Sequence, residues 1–272
     1  MHNKMFVVTL LLMNVLWFLA CSQHKISATA TEEERMNAAL KLFEKGDYFE
    51  AKTQFRILTL SNSGSIIADK AQFYLADCHF NMKEYILSAS EYERLLKVYP
   101  SSEYTDDAKF KIGLSYFKLS PKSGLDQDYT DQAITHFQEF LEDYHSSNLA
   151  PEVDKYLQQA RNKLAEKIYL SADLYRKMSY YQAANIYFNK VIEEYYDTDF
   201  AALALYWIAD NNRAMHQYTQ AFEIFDEFLL KYPDHDWVNR AQNKIKQTRT
   251  EYEKYTRHQL KMQQTQANPE TE

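Results

Sequence analysis

Two cysteines, eight histidines and several adjacent carboxylates are where chemistry could reside in this chain of 272 residues. Cys21 directly follows Ala20 at the close of an apolar run. Cys78 sits in an apolar helical stretch and reads as a small buried hydrophobe. The histidines are His2, His24, His79, His136, His145, His216, His235 and His258. No two stand four apart on one helix with a carboxylate partner. HExxH, CxxC and GxSxG motifs and a Walker glycine loop are all missing from the sequence. Acidic pairs such as Asp106-Asp107 and Glu193-Glu194 fall at helix ends or on helix surfaces, where they act as caps and solvated faces. The expectation is therefore a non-enzymatic chain with no catalytic residue, no metal ligand and no cofactor.

The N-terminus carries the covalent chemistry. Lys4 is followed by an apolar run from Met5 to Leu19, interrupted only by Asn14. A basic start, an apolar centre and a small residue at the end make residues 1–20 a secretory signal peptide. The run is shorter than the roughly 20 apolar residues a membrane-spanning helix needs. Ala20-Cys21-Ser22 resembles a bacterial lipoprotein box. That resemblance implies that Cys21 becomes the lipidated N-terminus, anchored to a membrane rather than spanning it; each buried acyl CH₂ contributes about 0.8 kcal/mol. Residues 21–31 then form a lipidated cysteine and a flexible tether, polar and small in composition. With Cys21 lipidated, no disulfide can form within the chain.

The elements that carry the rest are repeated. An aromatic near a turn, a small residue three positions on and an aromatic four positions later recur as Tyr48-Ala51-Phe55, Tyr85-Ser88-Tyr92, Thr130-Ala133-Phe137, Tyr181-Ala184-Phe188 and Tyr218-Ala221-Phe225. Pro100 and Pro233 close the second and fifth copies in matching places. A helix pair with a small residue at its crossing and a proline at its end is a tetratricopeptide signature. Numbering the turn aromatic as position 17 starts the repeats near Glu32, Asp69, Asp106, Ala165 and Ala202, and puts small residues Ala39, Ala76, Gly113, Ala172 and Ala209 at position 8. The expected fold class is all-α, a tetratricopeptide α-solenoid of five helix pairs with a C-terminal capping helix. Its repeats lie near 32–68, 69–105, 106–148, 150–200 and 202–235, within a domain spanning 32–264. The capping helix covers 236–264, near Trp237–Gln263 after Asp236, and 265–272 is a disordered tail. The third repeat holds an insertion within SPKSGLDQDYT, and the fourth opens with a long helix near Ala150–Lys177.

Composition agrees. Four glycines and five prolines are too few for a turn-rich β architecture, while 22 tyrosines and 16 phenylalanines suit plugs between helices. A net charge of −7 gives no electrostatic reason to bind nucleic acid.

In this fold, positions 5, 9 and 12 of each first helix line a concave groove. Here they are Met36, Leu40 and Phe43; Phe73, Asp77 and Phe80; Phe110, Leu114 and Phe117; Tyr169, Asp173 and Arg176; Tyr206, Asp210 and Arg213. The first three repeats offer Leu40, Phe43, Phe73, Phe80, Phe110, Leu114 and Phe117 as a groove for an extended hydrophobic peptide. The last two offer Tyr169, Asp173, Arg176, Tyr206, Asp210 and Arg213 for docking a folded partner. The same aromatics could instead pack against adjoining helices.

The order of features narrows the family. The stretches AALKLFEKGDYFEAKTQF, YLADCHFNMKEYILSASEYERLLKVYP, DQDYTDQAITHFQEFLEDYHSS and FDEFLLKYPDH, with the insertion in the third repeat and the long fourth-repeat helix, resemble the BamD family over most of Glu32–Gln247. The resemblance implies a non-enzymatic lipoprotein scaffold on the periplasmic face of the outer membrane. Its partners would be the periplasmic domains of the central β-barrel assembly subunit, docked through the C-terminal repeats, and unfolded outer-membrane proteins, with the membrane engaged through the lipid anchor. The alternative is another periplasmic tetratricopeptide lipoprotein adaptor, acting in cell division or peptidoglycan coordination. Such adaptors usually carry a coiled-coil stretch ahead of the repeats, which Cys21–Glu32 does not offer.

Overall fold

The structure is a computed structural model that describes residues 27, 29–61 and 67–267. The expected signal peptide, Cys21, most of the expected tether and residues 268–272 lie outside the described residues. Within them the chain is all-helical, with eleven α-helices. They are α1 (Glu32–Glu44), α2 (Tyr48–Ser61), α3 (Ala68–Asn81), α4 (Tyr85–Val98), α5 (Thr105–Leu119), α6 (Asp128–Asp143), α7 (Ala150–Lys177), α8 (Tyr181–Glu194), α9 (Asp199–Ala214), α10 (Tyr218–Lys231) and α11 (Val238–Ala267).

Local chemistry sets several of these boundaries. The Thr31 hydroxyl accepts from the Glu34 amide at 3.2 Å, and the Glu34 carboxylate accepts from the Thr31 amide at 2.9 Å. That reciprocal box satisfies two amides that helix geometry leaves open, and Glu32–Glu34 add negative charge at the positive end of α1. Pro151 falls in the first turn of α7, where its missing N–H costs nothing. The final helix starts at Val238, with the Trp237 amide donating to His235 Nδ1 at 3.0 Å, and runs to Ala267 rather than to Gln263. Residues 264–267 contain no helix breaker before Pro269, so nothing stops it earlier.

A left-handed residue reverses the chain between the two helices of four repeats. Gly46, Lys83, Ser179 and His216 have φ of 80°, 62°, 63° and 61°. All four stand at position 15 of their repeat. In the third repeat that position is Ser120, with φ −58°, and here the chain departs into the insertion instead of turning back.

The chain forms two compact units, one ending at Met82 and the other beginning at Lys83. In the first, α1, α2 and α3 pack around Met36, Ala39, Ala51, Phe55, Leu58, Ala71, Leu75 and Cys78. Tyr74 joins the helices by ring contacts to Phe43 at 5.3 Å and Phe55 at 5.5 Å. The Cys78 thiol is fully buried, and burial pushes its pKa up to about 12, with the Asp77 carboxylate adding to the effect.

In the second unit each helix packs on its sequence neighbours from α4 to α11. Toward the C-terminus two core clusters follow one another: Ala165, Ala172, Ala184, Phe188, Val191, Ala204 and Ile208, then Ala202, Leu205, Tyr206, Ala209, Phe225, Phe228 and Ala241. The repeated pattern forms the interior. Every small residue of the motif (Ala51, Ser88, Ala133, Ala184, Ala221) and every second aromatic (Phe55, Tyr92, Phe137, Phe188, Phe225) is fully buried. Each such ring contributes about 1.5–3 kcal/mol by leaving water. At position 8, a Cβ on Gly113 would stand 2.7 Å from the Phe137 ring, so only glycine lets α5 and α6 approach this closely.

The insertion, Ser120–Gln127 between α5 and α6, is tied down by hydroxyls. Ser120 Oγ lies 2.5 Å from Thr130 Oγ1, which donates to Gln127 Oε1 at 2.6 Å. The Gln127 amide in turn donates to the carbonyls of Lys122 and Leu125. Thr130 replaces the turn aromatic of the other repeats because this buried position needs a hydroxyl to hold the loop.

Candidate functional site

Tyr169, Asp173 and Arg176 rise from α7, and Tyr206, Asp210 and Arg213 occupy the same repeat positions on α9. The three-residue spacing from aspartate to arginine puts both side chains on one face of a helix. Each pair closes accordingly. Arg176 donates to Asp173 Oδ1 at 2.7 Å and 2.9 Å, and Arg213 Nε donates to Asp210 Oδ1 at 2.7 Å.

The two pairs then diverge. Lys177 also reaches Asp173, at 2.7 Å. Burial alone would raise the Asp173 pKa, but the hydrogen bonds from Lys177 and Arg176 outweigh it and hold the carboxyl below its usual range. Arg213 extends to Glu251 of α11 at 2.8 Å, while Lys244 of α11 lies 3.1 Å from Asp210. Burial works against the charged form of Arg213; the Asp210 and Glu251 hydrogen bonds reverse that and raise its pKa. The last helix is thus stitched to α9 by a four-residue ionic network.

Arg176 and Arg240 give the site its second character. The Arg176 guanidinium stacks 3.8 Å from the Trp207 ring centre. Arg240, exposed on α11, lies 4.4 Å from Trp237 and 5.2 Å from both Trp207 and Tyr206. The Trp207 indole N–H donates to the Tyr169 hydroxyl at 2.9 Å. Tyr206 itself is fully buried, its ring 5.0 Å from Trp237 and 5.1 Å from Trp207. A guanidinium over an indole contributes about 0.5–2 kcal/mol depending on its desolvation. The arrangement offers a partner guanidinium edges, aromatic faces and carboxylates held ionised.

The candidate peptide-groove residues divide between the two units. Phe73, at 8 %, Phe110, at 5 %, and Leu114, at 8 % exposed, are buried in the helix packing. Leu40 and Phe43 are half-buried against the core of the first unit. Phe80 is half-buried in that unit. In the second unit Phe117 is half-buried, with its ring 5.3 Å from Tyr156 and the Lys163 ammonium 5.2 Å from its centre. Leu40, Phe43, Phe80 and Phe117 therefore retain surface that the other three have given to the interior. Trp207, Trp237, Arg240, Lys244 and Glu251 complete the charged site without having been singled out from sequence. Arg240, Lys244 and Glu251 obey no repeat period because α11 is not a repeat helix, Trp237 directly precedes that helix, and Trp207 on α9 stands at position 6, outside the groove positions. Among the described residues no group of three His, Cys, Asp or Glu could hold a metal ion, and no helix is long and apolar enough to cross a membrane.

The sequence model of the YfiO family, described as outer membrane lipoprotein, matches residues 29–219. A putative outer membrane protein assembly factor BamD of Aquifex aeolicus is 25 % identical over 189 residues, covering 68 % of this chain. The chain spans 62 % of that relative's length. The outer membrane protein assembly factor BamD of Rickettsia prowazekii is 20 % identical over 210 residues, covering 77 % of this chain and 84 % of the relative. Among solved structures, a tetratricopeptide repeat protein from Parabacteroides merdae is 15 % identical, with a TM-score of 0.35, covering 87 % of this chain and 79 % of its own. The tetratricopeptide domain of P58(IPK) is 17 % identical, with a TM-score of 0.40, covering 85 % and 66 %.

Proposed function

The chain belongs to the YfiO family of outer membrane lipoproteins, the family of the BamD assembly factors, and from that premise we propose that it is a non-enzymatic scaffold subunit of the outer-membrane β-barrel protein assembly machinery. It is held at the periplasmic face of the outer membrane by lipid on Cys21. The observation that carries this reading is the family match, which runs across residues 29–219 and so takes in four repeats and the start of the fifth.

The scaffold has two tasks in this reading. The half-buried apolar residues of the first three repeats, Leu40, Phe43, Phe80 and Phe117, contact unfolded outer-membrane proteins. The face of α7, α9 and α11 docks the periplasmic domains of the central barrel subunit. Supporting the second task, Arg176 and Arg240 are pre-set by stacking and by their neighbours, so a partner carboxylate meets donors already oriented. Ordering a free arginine side chain at an interface would otherwise cost about 0.5–1.5 kcal/mol.

Affinity purification of the full chain from detergent-solubilised outer membrane tests the proposal. A large β-barrel partner should co-purify, and Arg176→Ala with Arg240→Ala should reduce its recovery. Recovery of peptidoglycan enzymes without a barrel protein would overturn the reading. Crosslinker placed at Phe80 or Phe117 should label unfolded barrel substrate more than crosslinker at exposed Leu230; equal labelling would remove the peptide-groove part alone.

A further inference from the structure

The insertion in the third repeat makes something besides a loop. Ser120, Pro121, Lys122 and Ser123 form one wall of a cavity of about 580 Å³. Gln159, Asn162, Lys163 and Glu166 of α7 and Phe200 of α9 complete its lining. A repeat without the insertion would turn back at position 15 and lack these lining residues; the site is an open depression on the surface.

Lys163 is the unusual member. Its ammonium donates to Ser120 Oγ at 2.7 Å and lies 3.4 Å from the Ser120 carbonyl. Among the described residues no carboxylate lies within ion-pair distance of it. Burial lowers its pKa, and the more distant Glu166 only partly offsets that. A desolvated cation is normally paired, since an unpaired one costs free energy. Here it stands against neutral oxygens and an aromatic face, with a third N–H unassigned and a second lysine, Lys122, in the opposite wall.

We propose that this cavity is a binding site for an acidic side chain of an extended polypeptide, whose carboxylate pairs with Lys163. The other lining residues say why a peptide rather than a phosphate group. Glu166 on the same wall disfavours a doubly charged anion, yet it can accept a peptide N–H. The Gln159 amide offers a donor and an acceptor and that of Asn162 a donor, which is what a peptide backbone requires. Asn162 already uses its oxygen on the Asp199 amide, at 3.1 Å, which fixes its remaining N–H₂ as a donor. Phe200 supplies an apolar surface for the residue next to the acidic one. The chain as a whole carries −7, so acidic segments are repelled generally and captured only at a local cation pocket of this kind. The site adjoins the α7–α11 docking face, the Phe200 ring lying 5.2 Å from that of Tyr169, but its peptide binding is read out independently of the assembly reading.

Selection of a random pool of end-capped heptapeptides on the full chain in detergent tests this. Peptides with one Asp or Glu beside an apolar residue should be enriched, and replacing that residue by Asn or Gln should weaken binding at least tenfold. Lys163→Met keeps the stem and removes the charge, so it should abolish the acidic enrichment, while Lys246→Met, on α11, should leave it intact. Should Lys163→Met misfold, Glu166→Lys provides the second variant, expected to strengthen acidic selection and to admit inorganic phosphate. No acidic enrichment, equal enrichment with Lys163→Met, or tighter binding of phosphate or phospholipid micelles than of peptide by the unaltered chain would each overturn the proposal.

Discussion

At the scale of single residues, geometry decides the sign of effects that propensity alone would misjudge. Alanine is normally favoured over glycine inside a helix by about 1 kcal/mol. At Gly113 the new methyl would meet a fully buried Phe137 ring at 2.7 Å, and overpacking of that kind costs about 1–3 kcal/mol. Gly113→Ala should therefore lower the urea midpoint, and a raised midpoint would refute the close-approach argument. His136 gives a pH-dependent case. It stacks on Tyr116 at 5.3 Å, with Glu139 at 3.5 Å. Burial lowers its pKa from the ordinary 6.5; Glu139 and Glu93 pull upward and Lys109 pulls down. The unfolded chain then binds more protons than the folded one below 6.5, so stability is full above that pH and declines on acidification. His136→Phe should flatten this part of the stability profile measured between pH 7 and 5. The small and aromatic positions of the repeats were readable from sequence because burial there repeats with the element. The pairing of Arg213 with Glu251 was not, since it joins residues 38 apart in the chain through tertiary packing alone.

At the scale of elements, the left-handed residue at position 15 is the common device. Gly46 satisfies it without strain, whereas Lys83, Ser179 and His216 carry a Cβ in a region that costs roughly 1–2 kcal/mol for an L-residue. Glycine loses part of that gain through the entropy of the unfolded chain. Ser179→Gly should still stabilise by about 0.5–1 kcal/mol, seen as a higher thermal midpoint, and Gly46→Ala should destabilise. Equal midpoints for Ser179→Gly and the unaltered chain would mean the turn relaxes in another way. This reversal was not read from the sequence: Lys83 and Ser179 give no signal of a positive φ, and the shared position 15 becomes visible only once the backbone angles are known. Helix limits were readable where Pro151 or a turn aromatic marked them, as in α7, and less so in α11, where no residue ends the helix before Ala267. The insertion was visible as a break in spacing. Its anchoring through Ser120, Thr130 and Gln127, and the cavity it walls off, depend on side-chain reach that spacing does not encode.

At the scale of the whole molecule, the proposed role joins an acyl anchor, apolar contact residues and a charged docking face in one chain. The anchor is separable from the rest. Cys21→Ser should leave the helical far-UV signal of the purified chain unchanged while moving the protein from the membrane pellet to the soluble fraction and ending incorporation of labelled palmitate. Retention in the pellet without label would mean that partners, not lipid, hold it there. Position 5, 9 and 12 residues lie on the first helices of their repeats, but Phe73, Phe110 and Leu114 are buried, because large apolar side chains at these positions leave water by packing between helices.

One buried atom sets how this molecule can be watched. With its thiol held protonated by burial, Cys78 presents no thiolate to alkylating or oxidising reagents at neutral pH. With Cys21 lipidated as proposed, Cys78 is the one remaining thiol of the sequence, and it is buried. A cysteine substituted at any exposed position becomes the unique attachment point for a fluorophore or spin label, with no background to remove. Alkylation of Cys78 itself then requires α1, α2 and α3 to part, so its rate is an intrinsic timer for opening of the N-terminal unit.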